Sequence, residues 1–107
     1  MNLQKKIVDL DGSSIMFPGK KEGEKTYKTV GDFLAAMLVQ NNRYNNNLNF
    51  DMKVKQYNLA KRIIAGGEIK DIDKKIDLKK VVHKSNYPMM IQAQVYEEVE
   101  KYDFTSR

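Results

Sequence analysis

The chain has no cysteine, a single histidine and no long apolar run. Without cysteine, disulfides, thiolate nucleophiles and thiolate metal sites are all excluded. One histidine, His83, leaves no partner imidazole for a metal pair, and nothing nearby in sequence completes a catalytic triad. Nothing approaches the ~20 apolar residues that span a bilayer. The opening MNLQKKIVDLDG has no apolar core of the kind a signal peptide needs. The expectation is a protein of the reducing cytoplasm. Glycine-rich phosphate loops are missing too: Gly66-Gly67 is followed by no P-loop lysine pattern and opens no dinucleotide fingerprint. The carboxylates at Asp71, Asp73 and Asp77 alternate with lysines and lack the central glycine and closing glutamate of a calcium loop. The reading is therefore a protein that is not an enzyme and has no metal and no cofactor.

What is present is enough to fold. The 107 residues suit one domain, and 41% apolar content is ample for a core of its own. The clearest element is FDMKVKQYNLAKRIIAGG, residues 50–67. At 100° per residue, Met52, Leu59, Ala60, Ile63 and Ile64 share one face, with Tyr57 at its margin. Lys55, Asn58 and Arg62 lie opposite, with Lys61 nearby. Asp51 suits the N-terminus and Gly66-Gly67 the stop. Everything else looks arranged to cover the apolar side of this helix.

Around it, residues 5–10 and 14–17 read as two strands about the turn at Asp11-Gly12, because glycine tolerates positive φ. Pro18-Gly19 ends the second strand, a polar stretch follows over 20–28, and Tyr27 and its neighbours suit a further short strand. Thr29 and Asp32 have the spacing of a capping box, which opens a helix ending near Gln40. Residues 41–49, NNRYNNNLN, read as a loop. Asp73 begins a third helix through about 84, with Ile76, Leu78, Val81 and Val82 on its buried side. Pro88 opens the last helix, which buries Ile91, Val95, Val99 and Tyr102 and turns Glu97, Glu98 and Glu100 outward. The predicted fold is α+β: an N-terminal β-hairpin followed by about four helices. One domain covers 1–107, with hairpin and polar loop over 1–28, the helical part over 29–102 and a frayed tail over 103–107.

Charge is uneven. Residues 51–62 carry Lys53, Lys55, Lys61 and Arg62 against Asp51, whereas the tail from 97 is acidic. The quartet Lys53, Lys55, Lys61 and Arg62 is the candidate binding face, for an acidic protein or for phosphates. Its plainest reading is ordinary solvation. Nucleic-acid binding is the alternative function, weakened by the acidic tail and by sparse aromatics. Tyr87, Pro88, Met89 and Met90 form a second candidate contact patch, since methionine adapts to varied surfaces; core filling is the competing reading.

Four short pieces together resemble a family. Leu10-Asp11-Gly12, Tyr57-Asn58-Leu59-Ala60-Lys61, Lys79-Lys80-Val81-Val82 and Gln94-Val95-Tyr96 are similar to the layout of small uncharacterised proteins encoded by tailed bacteriophages. The matching positions describe helices and mark no site. The resemblance implies no activity. It implies a non-catalytic task, either binding a host protein or serving in virion assembly.

Overall fold

Thr29 sets the start of the helix on which the rest of the fold is laid. Its Oγ1 accepts from the Asp32 amide at 3.2 Å, and the Asp32 carboxylate accepts from the Thr29 amide at 3.0 Å. This is the predicted capping box, and it satisfies two donors reciprocally. The structure, a computed structural model, describes residues 1–13, 15–18 and 25–102. Five helices follow one another: α1 (Val30–Val39), α2 (Arg43–Asn46), α3 (Phe50–Ile64), α4 (Leu78–His83) and α5 (Met89–Glu100).

Helix α1 is the centre, a place the sequence suggested for α3. It packs most extensively on α3 and also meets α4 and α5. Val30, Leu34, Ala35, Met37 and Leu38 are each at most 3% exposed. The reason is composition: VGDFLAAMLV is apolar on most sides, and such a helix is stable only when surrounded.

The predicted α+β class is overturned. The turn itself forms, with Gly12 at φ +85° and its amide donating to Asp9 O at 2.9 Å. The Asp11 carboxylate accepts from the Ser13 amide and hydroxyl at 2.9 and 2.6 Å. Among the described residues, however, 5–10 form no strand, and across the turn Asp9 N donates to Ser13 O at 2.8 Å. The chain before the turn pairs with the start of α1. The Ile7 amide donates to Lys28 O at 3.0 Å, and the Val30 and Gly31 amides donate to Lys5 O and Leu3 O, both at 2.8 Å. Those two amides are orphan donors of a helix first turn, and they must find acceptors. The ladder that does form joins β1 (Met16–Pro18) to β2 (Lys25–Tyr27), antiparallel, in register Met16–Tyr27, Phe17–Thr26 and Pro18–Lys25. Among the described residues this ladder has three residues a side, a ribbon and no sheet layer, so the described domain is helical. The expected start of the second strand at Ser14, its stop at Gly19, residues 20–24 of the polar loop and the 103–107 tail lie outside the described residues.

Residues 2–8 are also held from the other side, by α5. The Gln94 amide accepts from Val8 N at 2.9 Å and donates to Val8 O at 2.8 Å. One helical turn on, Glu98 accepts from Asn2 N at 2.9 Å. The segment is thus a strap between α1 and α5, with Ile7 fully buried beneath it. Glu98, expected outward, is 1% exposed. Lys101 Nζ at 2.7 Å and Lys5 Nζ at 3.7 Å offset its charge. The Lys101 hydrogen bond, then the Asn2 amide, hold its carboxyl below the ordinary glutamate value.

Three boundaries differ from expectation. Residues 41–49 contain α2, capped by Asn42, whose Oδ1 accepts from Asn45 N at 2.8 Å. Asn49, and no longer Asp51, caps α3 by accepting from Met52 N at 2.8 Å. Asp77 caps α4 through Lys80 N at 3.1 Å, because Asp73 is engaged elsewhere in a short 3-10 turn. Helix α3 ends as expected at its glycines. Gly66 takes φ +87°, Gly66 N donates to Ile63 O at 3.0 Å, and Gly67 N donates to Arg62 O at 2.8 Å. Ile76, Leu78, Val81, Val82, Ile91, Val95 and Val99 are buried where the periodicity placed them.

Two tests follow from the strap. A Cβ on Gly31 would meet Leu3 O at 3.0 Å and Ile63 Cγ2 at 3.2 Å. Gly31→Ala is therefore expected to cost about 1–3 kcal/mol, because strap or α3 must move; an unchanged urea midpoint would show that the close approach has no weight. Glu98→Gln is expected to cost about 1–3 kcal/mol at pH 7. A carboxyl depressed on folding stabilises above its unfolded pKa and stops doing so as it protonates. The gap between wild type and Glu98→Gln should therefore close as pH falls below about 4, which thermal melts across that range will show.

Candidate interaction surface

Helix α3 presents two apolar sides. Gln56, Leu59, Ala60 and Ile63 are buried against α1. Phe50 (76% exposed), Val54 (38%), Tyr57 (54%) and Ile64 (63%) face outward. The spacing i, i+4, i+7, i+14 puts these four on one stripe. Ile64 was expected in the core and is not there. Its neighbour Ile63 takes that position, and 100° of rotation carries Ile64 to the outer side.

Helices α1 and α3 run antiparallel. Gly31 near the start of α1 lies against Ile63 near the end of α3, and Gln56 Nε2 donates to Leu38 O at 2.8 Å at the other end. Between them, on the outer side, lies an apolar trough of about 580 Å³. Ala35 and Ala60 are buried at its base. Val39 (52% exposed), Tyr57 and Ile64 stand around it, with Asp32 and Lys61 at the rim. A second cleft of about 300 Å³ shares Val39 and Tyr57 and continues the trough past Lys53, Gln40 and the α2 asparagines. Small residues set this shape: alanines at 35, 36 and 60 let the two helices approach and leave a furrow above them.

The end of the trough is made rigid by amides. Asn45 Nδ2 donates to Met37 O and Gln40 O at 3.0 and 2.8 Å, which satisfies carbonyls at the C-terminus of α1. Gln56 Nε2 adds a bond to Asn45 Oδ1 at 3.0 Å. Gln56 is 2% exposed, and its Oε1 has no hydrogen-bond partner among the described residues.

The predicted basic quartet is divided. Lys61 is exposed at the trough, its Nζ 4.6 Å from the centre of the Tyr57 ring, and Lys53 is exposed beside the second cleft. Lys55 is half-buried. Arg62 is a brace: its Nη1 donates to Asp73 Oδ2 at 2.6 Å and to Glu68 O at 3.3 Å. Asp73 is 4% exposed and also accepts from Lys70 N at 2.8 Å. The second predicted patch is likewise split. Tyr87 is half-buried edge-on to Phe33, with ring centres 5.6 Å apart, and Met90 is half-buried. Pro88 and Met89 are exposed, Met89 at 82%.

His83 is exposed in the last turn of α4. Among the described residues no three His, Asp or Glu side chains converge as a metal-binding group, and no helix is long and apolar enough to cross a membrane. No family model, curated protein or solved structure matches the chain.

Val39, Phe50 and Val54 are exposed apolar residues that the expected core face of α3 and the basic quartet do not include. A signal existed. Phe50, Val54, Tyr57 and Ile64 keep helical spacing on their own, so α3 has a second apolar stripe beside the one assigned to the core.

Arg62 bears on how this surface is probed. Arg62→Ala leaves a buried carboxylate without its cation and is expected to destabilise the fold by about 2–3 kcal/mol. Lys61→Ala, at an exposed position, should stay within about 0.5 kcal/mol. Equal melting temperatures for the two variants would remove Arg62 from the structural account.

Proposed function

We propose that this chain is a small non-enzymatic protein-interaction module and that the α1/α3 trough is its contact face. The observation that supports this most is the group of large apolar side chains left exposed together. Val39, Tyr57 and Ile64 surround the trough, and Phe50 and Val54 extend the stripe along α3. Exposed apolar surface costs solvation free energy, and contiguous patches of it are a mark of contact sites. The resemblance to phage-encoded proteins makes a host or virion protein the partner in this reading.

The alternative of a phosphate-binding face fits the geometry less well. Of the four cations it would use, Arg62 is paired with Asp73 and Lys55 is half-buried. The two lysines that remain exposed border an apolar trough.

The test is the double variant Val39→Glu/Ile64→Glu in a tagged capture from bacterial lysate treated with nuclease. Both residues are exposed, so melting should change little. Capture of a protein retained by wild type should drop more than tenfold, as expected when two anchors of ~1 kcal/mol or more each are lost. Undiminished capture by the variant refutes the contact face. Capture that disappears with nuclease, in wild type, refutes the protein partner.

A further inference from the structure

We propose that the occupant of the trough is an acidic amphipathic helix, an inference that rests on the reading of the α1/α3 face as a contact site. Shape gives the first argument. The trough follows the axes of two antiparallel helices, and together with the cleft that continues it is lined on the α3 side from Lys53 to Ala65. At 1.5 Å per residue that is about 18 Å, or a little over three helical turns. A furrow between two packed helices accepts the side-chain ridge of a third, and an apolar anchor pattern of i, i+4, i+7 matches such a furrow. The alanine base at Ala35 and Ala60 leaves room for large anchors.

Charge identifies which helix. Lys61 is exposed at the rim of the trough and Lys53 beside the cleft that continues it, against one carboxylate, Asp32, which already accepts the Thr29 amide of the capping box. A second copy placed face to face would bring four lysines, two from each chain, against two such aspartates. Each chain also carries a net charge of +5. Self-pairing is thus opposed, whereas a helix with Asp or Glu flanking its apolar stripe meets both lysines. A nucleic acid would gain the lysines and leave Val39, Tyr57 and Ile64 facing phosphates and sugar, so the apolar lining selects against it.

The experiment uses fluorescence anisotropy with two synthetic probes of roughly 18 residues, about five turns of helix. Both carry leucines at i, i+4, i+7 and i+11. One is flanked by glutamates, the other by lysines. At low salt the glutamate probe should bind the wild-type chain about tenfold more tightly. Lys53→Glu/Lys61→Glu should reverse that preference, and Ile64→Glu should weaken both probes. Equal affinities, a preference for the lysine probe, or binding of neither overturns the acidic helix. If neither probe binds while lysate capture still depends on Val39 and Ile64, the contact face survives and its occupant is of another kind. If capture is also indifferent to those residues, both readings fall. A dimer in sedimentation equilibrium that Ile64→Glu abolishes would name a second copy as occupant and overturn the proposal.

Discussion

The first-turn amides of α1 govern the architecture. A helix that is central and apolar on most sides buries its N-terminus, where water cannot satisfy the orphan donors. Here every one has an acceptor. Val30 and Gly31 donate to Lys5 O and Leu3 O, Asp32 donates to Thr29 Oγ1, and Phe33 begins the regular ladder to Thr29 O. To supply two of those carbonyls, the chain before the Asp11-Gly12 turn must lie across the start of α1. That requirement ties residues 3–7 to α1, while Asp9 N still donates across the turn to Ser13 O at 2.8 Å. It also explains Gly31, whose missing side chain lets Leu3 come within reach.

The strap is held to α5, and the far end of α1 is closed, by polar side chains that imitate backbone. Gln94 gives Val8 both a donor and an acceptor, as a neighbouring strand would, and Glu98 completes the row at Asn2. At the far end, Asn45 Nδ2 and Gln56 Nε2 donate to the carbonyls of Met37, Leu38 and Gln40. Amides suit this work because each carries donors and an acceptor in one plane. The asparagine run, which from composition reads as a loop, is therefore in part the C-terminal closure of the central helix.

Helix α3 shows the consequence at the surface. Its inner side is spent on α1, and α1 is too short and too rich in alanine to cover the outer side as well. Val39, Tyr57 and Ile64 are left around a furrow, and the lysines that sequence reading grouped into one basic face are sorted by neighbours. Arg62 goes to Asp73, whereas Lys53 and Lys61 remain beside the trough. A face defined by residue type alone thus becomes, in three dimensions, an apolar furrow with a basic border.

Local chemistry made several features legible in the sequence. The Thr29–Asp32 box, the Gly66-Gly67 stop, the Asp11-Gly12 turn and the buried sides of α4 and α5 depend on neighbours within a few residues, and those patterns held. Tertiary structure alone decided which partner each polar group found. Residues 5–10 have strand-like character, but the Lys5 carbonyl accepts from Val30 N and the Ile7 amide donates to Lys28 O, so the segment is tied to the start of α1. Glu98 reads as a solvated glutamate until Asn2, Lys5 and Lys101 surround it. Ile63 and Ile64 are chemically equal, and only the direction from which α1 approaches buries the first and exposes the second. Periodicity specifies that a helix has an apolar side; the packing of a neighbour, distant in sequence, chooses which one is covered.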